Sequence, residues 1–296
     1  MPKVYIDGQL LDEADAKISV FDHGLLYGDG IFEGIRIYDG RVFELEAHLD
    51  RFADSAKAID LTLPLDNAAI AEAILETIRA NELQDGYVRL LATRGAGGLG
   101  LNPYLCEKAS LIVIASKISL YPEDKYTNGL TVVTCGTRRP SHAALSPTVK
   151  SLNYLNNVMA KIEAMHAGAD EGVMLNEQGL ISECTGDNIF VVKNGAVTTP
   201  PVAAGILDGI TRRIVMNIID EIGLPLSEPM MSRYDLYTAD EVFLTGTAAE
   251  IIAVVQYDNR TIGDGKPGPV TRQCIEKYRD LTKTTGTPIY NAVPSA

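Results

Sequence analysis

Three short turns constrain this chain more than any other feature. Asp7-Gly8, Asp39-Gly40 and Asn194-Gly195 each lie between apolar runs. In such loops glycine takes the positive φ that lets two strands fold back on each other with the right twist. The first third is therefore predicted to open with antiparallel hairpins, residues 4–6 pairing with 10–11 and 31–38 with 42–45. Two helices follow, since Leu45, Leu49, Phe52, Ala56 and Ile59 share one face at helical spacing, as do Ile70, Ile74 and Ile78. Strands return at 87–93 and 111–116.

Residues 119–129 are polar and turn-rich, which marks them as a linker. Beyond them a strand is expected at 130–134, an amphipathic helix at 152–165 and a strand meander at 172–199. A helix at 211–222 is stopped by Gly223 and Pro225; strands at 242–245 and 251–256 and a helix at 270–281 complete the chain. At about 150 residues per domain, 296 residues suggest two domains. We place them at 1–118 and 130–296, joined by 119–129. Strands and helices mix without strict βαβ alternation, so the class is α+β rather than a doubly wound sheet.

Charge narrows the choice of partner. Lys and Arg number 26 against 39 Asp and Glu, a formal charge of −13. A binder of nucleic acid or an anionic membrane needs a basic face, so neither is expected. An anionic ligand would have to be held by a few placed cations and backbone N–H groups. The four cysteines (Cys106, Cys135, Cys184 and Cys274) show no C-x-x-C and no histidine pair, so neither a disulfide framework nor a zinc site is expected. No basic-then-apolar leader opens the sequence, and no aliphatic stretch approaches the ~18 residues of a membrane helix. A cytoplasmic protein with reduced thiols is the expectation.

The motif Gly95-Ala96-Gly97-Gly98-Leu99-Gly100 matches G-x-G-x-x-G, but a dinucleotide site needs a helix at the last glycine. Leu101-Asn102-Pro103 follows instead, which reads as a loop over a pocket. Two other segments suit an anion. Gly209-Ile210-Thr211-Arg212 opens a helix, where N–H groups and the positive dipole end face outward. Gly246-Thr247-Ala248-Ala249 follows a strand, and its small residues let backbone N–H groups approach a ligand. Each alone reads equally as a helix cap or a tight turn. Lys150, in Lys150-Ser151-Leu152-Asn153-Tyr154, stands just before a helix; Glu183 is a half-buried carboxylate on a strand, which needs a cation or hydrogen bonds.

These segments together resemble the class IV pyridoxal-phosphate aminotransferases, above all the branched-chain amino acid aminotransferases. The most specific stretch is Glu183-x-Thr185-x-x-Asn188-Ile189-Phe190, then Val197-x-Thr199, then Leu207-x-Gly209-Ile210-x-Arg212. Tyr27-Gly28-Asp29-Gly30-Ile31-Phe32-Glu33-Gly34-Ile35-Arg36 and the Lys150–Tyr154 string agree in order, and the likeness covers essentially the whole chain. It implies a two-domain, fold type IV enzyme with a smaller N-terminal and a larger C-terminal domain and the cofactor at their interface, similar to D-amino acid aminotransferase. Lys150 would form the Schiff base with pyridoxal 5'-phosphate and shuttle the proton. Glu183 would face the pyridine nitrogen and Tyr154 the phenolate oxygen. Arg51 would ion-pair with the phosphate, which Ile210, Thr211 and Thr247 would also hold.

The resemblance further implies two substrates in one pocket, an apolar side chain and then glutamate with its second carboxylate. On a strand Tyr87 and Arg89 point to one face. Arg89 would take the glutamate side chain, while Tyr87 with the N–H groups of Thr247 and Ala248 would hold the α-carboxylate. Phe32, Tyr126 and Tyr27, the last from a second subunit, would wall the apolar part, with Arg36 orienting that wall. The expected reaction is ping-pong transamination of leucine, isoleucine or valine with 2-oxoglutarate by a homodimer or larger oligomer. Two relatives on the same scaffold, D-amino acid aminotransferase and aminodeoxychorismate lyase, remain alternatives. The first uses an Arg-x-His pair on the loop that here reads Arg94 to Pro103 without histidine. A nicotinamide oxidoreductase would rest on the 95–100 glycines alone.

Overall fold

The computed structural model describes residues 1–290. Two compact units share the chain. One comprises Met1–Ile118, Val149–Asn153 and residues 282–290; the other comprises Ser119–Thr148 and Tyr154–Leu281.

The first unit is built on a seven-stranded antiparallel sheet. Its order is Thr287–Pro288, Arg41–Val42, Gly30–Tyr38, Gly86–Thr93, Ser110–Ser116, Lys3–Ile6, Gln9–Asp12. The Asp-Gly turns lie where the hairpins require them, with Gly8 and Gly40 at positive φ. The strand after Asp39-Gly40 is only Arg41–Val42, shorter than the expected 42–45. Glu44 turns into the left-handed region and Leu45 starts the next helix, so the chain leaves the sheet early. Helices Leu45–Ala58 and Asn67–Ala80 lay their apolar stripes on one sheet face. Ile31, Ile35, Ile37, Val88, Leu90 and Val113 meet Leu49, Phe52, Ile70, Ile74 and Ile78 there, all buried. Each such side chain contributes about 1.5–3 kcal/mol when removed from water. The alternation then dictates the rest: residues 32, 34, 36, 87 and 89 stand on the opposite face.

The second unit is a curled nine-stranded mixed sheet. Its order is Leu226–Ser227, Ala196–Thr198, Asn188–Lys193, Glu241–Gly246, Glu250–Tyr257, Leu130–Thr134, Glu171–Leu175, Ile181–Cys184, with Arg260–Thr261 beside Glu250–Tyr257. Three pairings are parallel, at Ala196–Thr198, and on both sides of Leu130–Thr134. Turn signals report only hairpins, so nothing in the sequence pointed to these parallel pairs. The expected helix at 152–165 is Leu155–His166. Residues 149–153 are extended because they hydrogen-bond to the edge of strand Gly30–Tyr38: Phe32 N–H donates to the Lys150 carbonyl at 3.0 Å and Leu152 N–H to that of Gly30 at 2.9 Å. Residues 119–129 contain a short helix, Glu123–Asn128. Among the described residues no helix is long and apolar enough to cross a membrane.

Candidate active site

In the first unit the face opposite the core gathers four of the singled-out residues. Register pairs Gly34 with Arg89 and Arg36 with Tyr87. The Arg89 guanidinium lies 4.6 Å from the centre of the Phe32 ring, and its Nη2 is 3.4 Å from the Tyr87 hydroxyl. Lys150 Nζ is 4.8 Å from the same Phe32 ring. One aromatic ring therefore has two cations over it, an arrangement attractive through the ring quadrupole. Gly34 is required here: a Cβ would overlap the Tyr87 hydroxyl. Tyr27 ends helix His23–Tyr27, and its hydroxyl donates to the Leu99 carbonyl. Arg36 lies 4.9 Å over the Tyr38 ring.

Arg51 is placed by a cluster that sequence reasoning did not find. Glu33 has the phase of the core residues Ile31 and Ile35, and its side chain is wholly buried. Arg51 donates side-on to it, Nε to Oε1 at 2.7 Å and Nη2 to Oε2 at 2.8 Å. His48 Nδ1, one helical turn before, donates to Oε2 at 2.8 Å. Burial alone would raise the Glu33 pKa, but the bonds from His48 and Arg51 outweigh it and hold the carboxyl well below its usual range. Burial pushes the His48 imidazole pKa down, against the pull of Glu33. The signal was available: a carboxylate at a core phase demands partners, and His48 and Arg51 are spaced i, i+3 on the covering helix.

In the second unit the long gapped motif becomes one hydrogen-bonded cluster. Glu183, on strand Ile181–Cys184, is buried rather than half-buried. Its Oε1 is 2.7 Å from Arg139 Nη2. Its Oε2 accepts from Asn188 Nδ2 at 3.1 Å and from the Leu207 N–H at 3.0 Å. Asn188 Nδ2 also donates to the Leu207 carbonyl at 2.9 Å. Gly209 follows because a Cβ there would collide with the Asn188 carboxamide oxygen. Arg212 is buried against Glu228, Asp208 and the Pro200 carbonyl, so it fastens this loop to the body of the unit. Arg139 lies in an irregular segment with no periodicity, and the sequence carries no signal for it.

Helix Ile210–Glu221 starts at Gly209 with no side-chain cap and no acidic residue in its first turn. A helix start of this kind, with the positive end of its dipole, suits an anionic acceptor. The Ile210 and Thr211 side chains are buried. Thr247 and Ala248 lie in the turn between strands Glu241–Gly246 and Glu250–Tyr257. Tyr154 precedes helix Leu155–His166, and the Tyr126 ring lies 6.3 Å from that of Tyr121. The 95–100 glycines are followed only by a single 3₁₀ turn, Pro103–Leu105, so the helix that a dinucleotide fingerprint needs is not there.

The family profile of class IV amino-transferases matches residues 30–257. A Methanocaldococcus jannaschii protein, provisionally named a branched-chain-amino-acid aminotransferase, is 49% identical over 290 residues, covering 98% of this chain and 99% of that one. A D-alanine aminotransferase of Staphylococcus haemolyticus is 36% identical, covering 94% of this chain and 97% of its own. The T.th. branched-chain amino acid aminotransferase, solved with N-(5'-phosphopyridoxyl)-L-glutamate, superposes with a TM-score of 0.89 at 36% identity, covering 95% of this chain and 93% of that one. The chain belongs to the class IV aminotransferase family. Its mixed helix-and-sheet architecture is the fold type IV one.

Proposed function

We propose that this chain is a branched-chain amino acid aminotransferase that passes an amino group between leucine, isoleucine or valine and 2-oxoglutarate by a ping-pong mechanism. The observation that carries the reading is the Phe32, Tyr87, Arg89 face. There a cation lies against an apolar ring, so one surface can meet either an aliphatic side chain or a second carboxylate. An apolar pocket alone would reject that carboxylate, because an unpaired buried charge costs several kcal/mol. The M. jannaschii relative and the T.th. structure, solved with a phosphopyridoxyl-glutamate, support the same reading.

The donor set fits pyridoxal 5'-phosphate. An uncapped helix start at Gly209 suits a phosphate, and a carboxylate held ionised by Arg139, Asn188 and the Leu207 N–H, Glu183, suits a protonated ring nitrogen. Bound there, the cofactor supplies an aldehyde that takes up the amino group and a ring that delocalises the electron pair released at Cα. Lys150 would hold the cofactor covalently and would carry the proton. Glu183 holds the proton on the ring nitrogen, and Tyr154 donates to the phenolate oxygen. Arg51, oriented by Glu33, and the N–H groups of Ile210, Thr211 and Thr247 grip the phosphate. Arg89 takes the glutamate side chain; Tyr87 and the Thr247 and Ala248 N–H groups hold the α-carboxylate. Phe32, Tyr126 and Tyr27 of a second subunit form the apolar wall. The working protein is then a cytoplasmic homodimer or larger oligomer.

The S. haemolyticus relative favours a second reading, transamination of D-amino acids. The loop from Arg94 to Pro103 argues against it, because it carries no histidine to pair with an arginine. A visible spectrum of the purified protein decides. L-leucine should bleach the cofactor band and 2-oxoglutarate restore it, and Lys150→Ala should abolish the response. A response to D-alanine with none to L-leucine would establish the second reading.

A further inference from the structure

We infer that Arg139 is a positioning residue that sets how much of the Glu183 charge reaches the cofactor ring; this rests on the proposal that Glu183 faces the ring nitrogen. Its guanidinium is fixed at both ends. Nη2 is 2.7 Å from Glu183 Oε1, while Nη1 donates to Asn157 Oδ1 at 2.9 Å. Asn157 in turn donates to the Thr185 carbonyl at 2.8 Å, two residues beyond Glu183. The Arg139 backbone N–H is itself held by the Leu175 carbonyl at 2.9 Å. Arg139 and Glu183 are each 7% exposed at the side chain, so solvent screens the pair little.

Stability alone does not account for this burial. A buried ion pair is often no more stable than an apolar substitute, and Arg139 Nε is buried with no hydrogen-bond partner among the described residues. A functional consequence does account for it. A carboxylate answered by a guanidinium presents only part of its charge to anything on its other side. The two N–H donors on Oε2 leave the Glu183 rotamer no freedom, so the remaining charge has a fixed direction. The other titratable groups around this strand include Cys184, Glu171, Asp187, Cys135 and Tyr121. Burial and those carboxylates keep the Cys184 thiol protonated, and Glu171 is answered by Lys161 at 2.8 Å. Arg139 is a cation paired directly with Glu183.

The test is a pH titration of the visible band of the holoenzyme, with cofactor affinity measured alongside. Arg139→Met should expose the full carboxylate charge and raise the midpoint by about one pH unit, a tenfold change in proton affinity. Arg139→Lys keeps the charge and should move the midpoint by less than about a third of that. In a Glu183→Gln background the Met substitution should add no further shift, as expected of residues acting as one unit. If Arg139→Met folds poorly, Asn157→Ala, which releases the far end of the guanidinium, should give a smaller shift of the same sign. An unchanged midpoint in both Arg139→Met and Asn157→Ala, or a shift that persists without Glu183, overturns the role of Arg139. An unchanged midpoint in Glu183→Gln alone overturns instead the placement of Glu183 at the ring nitrogen.

Discussion

Glu33 shows how one residue can decide the behaviour of its surroundings. It is a carboxylate in the apolar face of a sheet, tolerable only because Arg51 and His48 answer it. Removing one partner of a buried pair leaves an uncompensated charge, so Arg51→Met is expected to destabilise the protein by about 3–5 kcal/mol in denaturant titration. The pH dependence follows from the two shifts. The Glu33 and His48 pKa values are both depressed in the folded state, so the unfolded chain binds more protons and stability falls as pH falls. The His48 part is present above about pH 6.5 and is lost below it; the Glu33 part follows below about pH 4.3. Melting temperatures measured from pH 7.5 to 5 should decline, and His48→Gln should flatten that interval. Arg89 carries the substrate prediction. Arg89→Ala should lower kcat/KM for glutamate by about a hundredfold, the effect of losing a charged hydrogen bond of ~3 kcal/mol, and that for leucine far less. Equal losses would remove the dual-substrate role.

At the scale of elements, the chemistry depends on glycines that let other groups come close. Strand Gly30–Tyr38 carries Glu33 on its core face and Phe32 and Gly34 on the other. The helix that starts at Gly209 is tied to Glu183 through Asn188 and Leu207. Gly209→Ala introduces no backbone strain, since φ is −68°, yet its methyl must displace Asn188. Overpacking of this kind costs about 1–3 kcal/mol. We expect a lower melting temperature together with weaker cofactor binding, and Asn188→Ala in the same background should recover part of the melting loss. Full cofactor affinity in Gly209→Ala would show that the Asn188 link is dispensable.

Across the whole molecule, the formal charge of −13 leaves no general positive field to attract a phosphate or a dicarboxylate. Added salt should therefore speed association of the anionic cofactor with the cofactor-free protein, by up to about threefold between low and physiological ionic strength, because it screens the repulsion. A basic binding protein would slow down instead. Stopped-flow absorbance measures the sign directly. Three of the four thiols give no comparable handle: burial pushes Cys135 up to about 12 and Cys274 up to about 11, and burial also raises Cys184.

The sequence by itself determined the turns of the hairpins, the longer helices and the phase of their apolar faces, because these follow from turn chemistry and from periods of 2 and 3.6 residues. It also determined the order of the motif residues, since Glu183, Asn188, Leu207 and Gly209 can be read as a string without knowing that they touch. Tertiary structure decided which charges answer one another. Arg139 and Glu183 are separated by more than forty residues, and Arg51 meets Glu33 only because a helix packs on that strand. No local period encodes such pairs. The need for a partner arises only when burial removes the carboxylate from water, and burial is a property of the assembled sheet and helices.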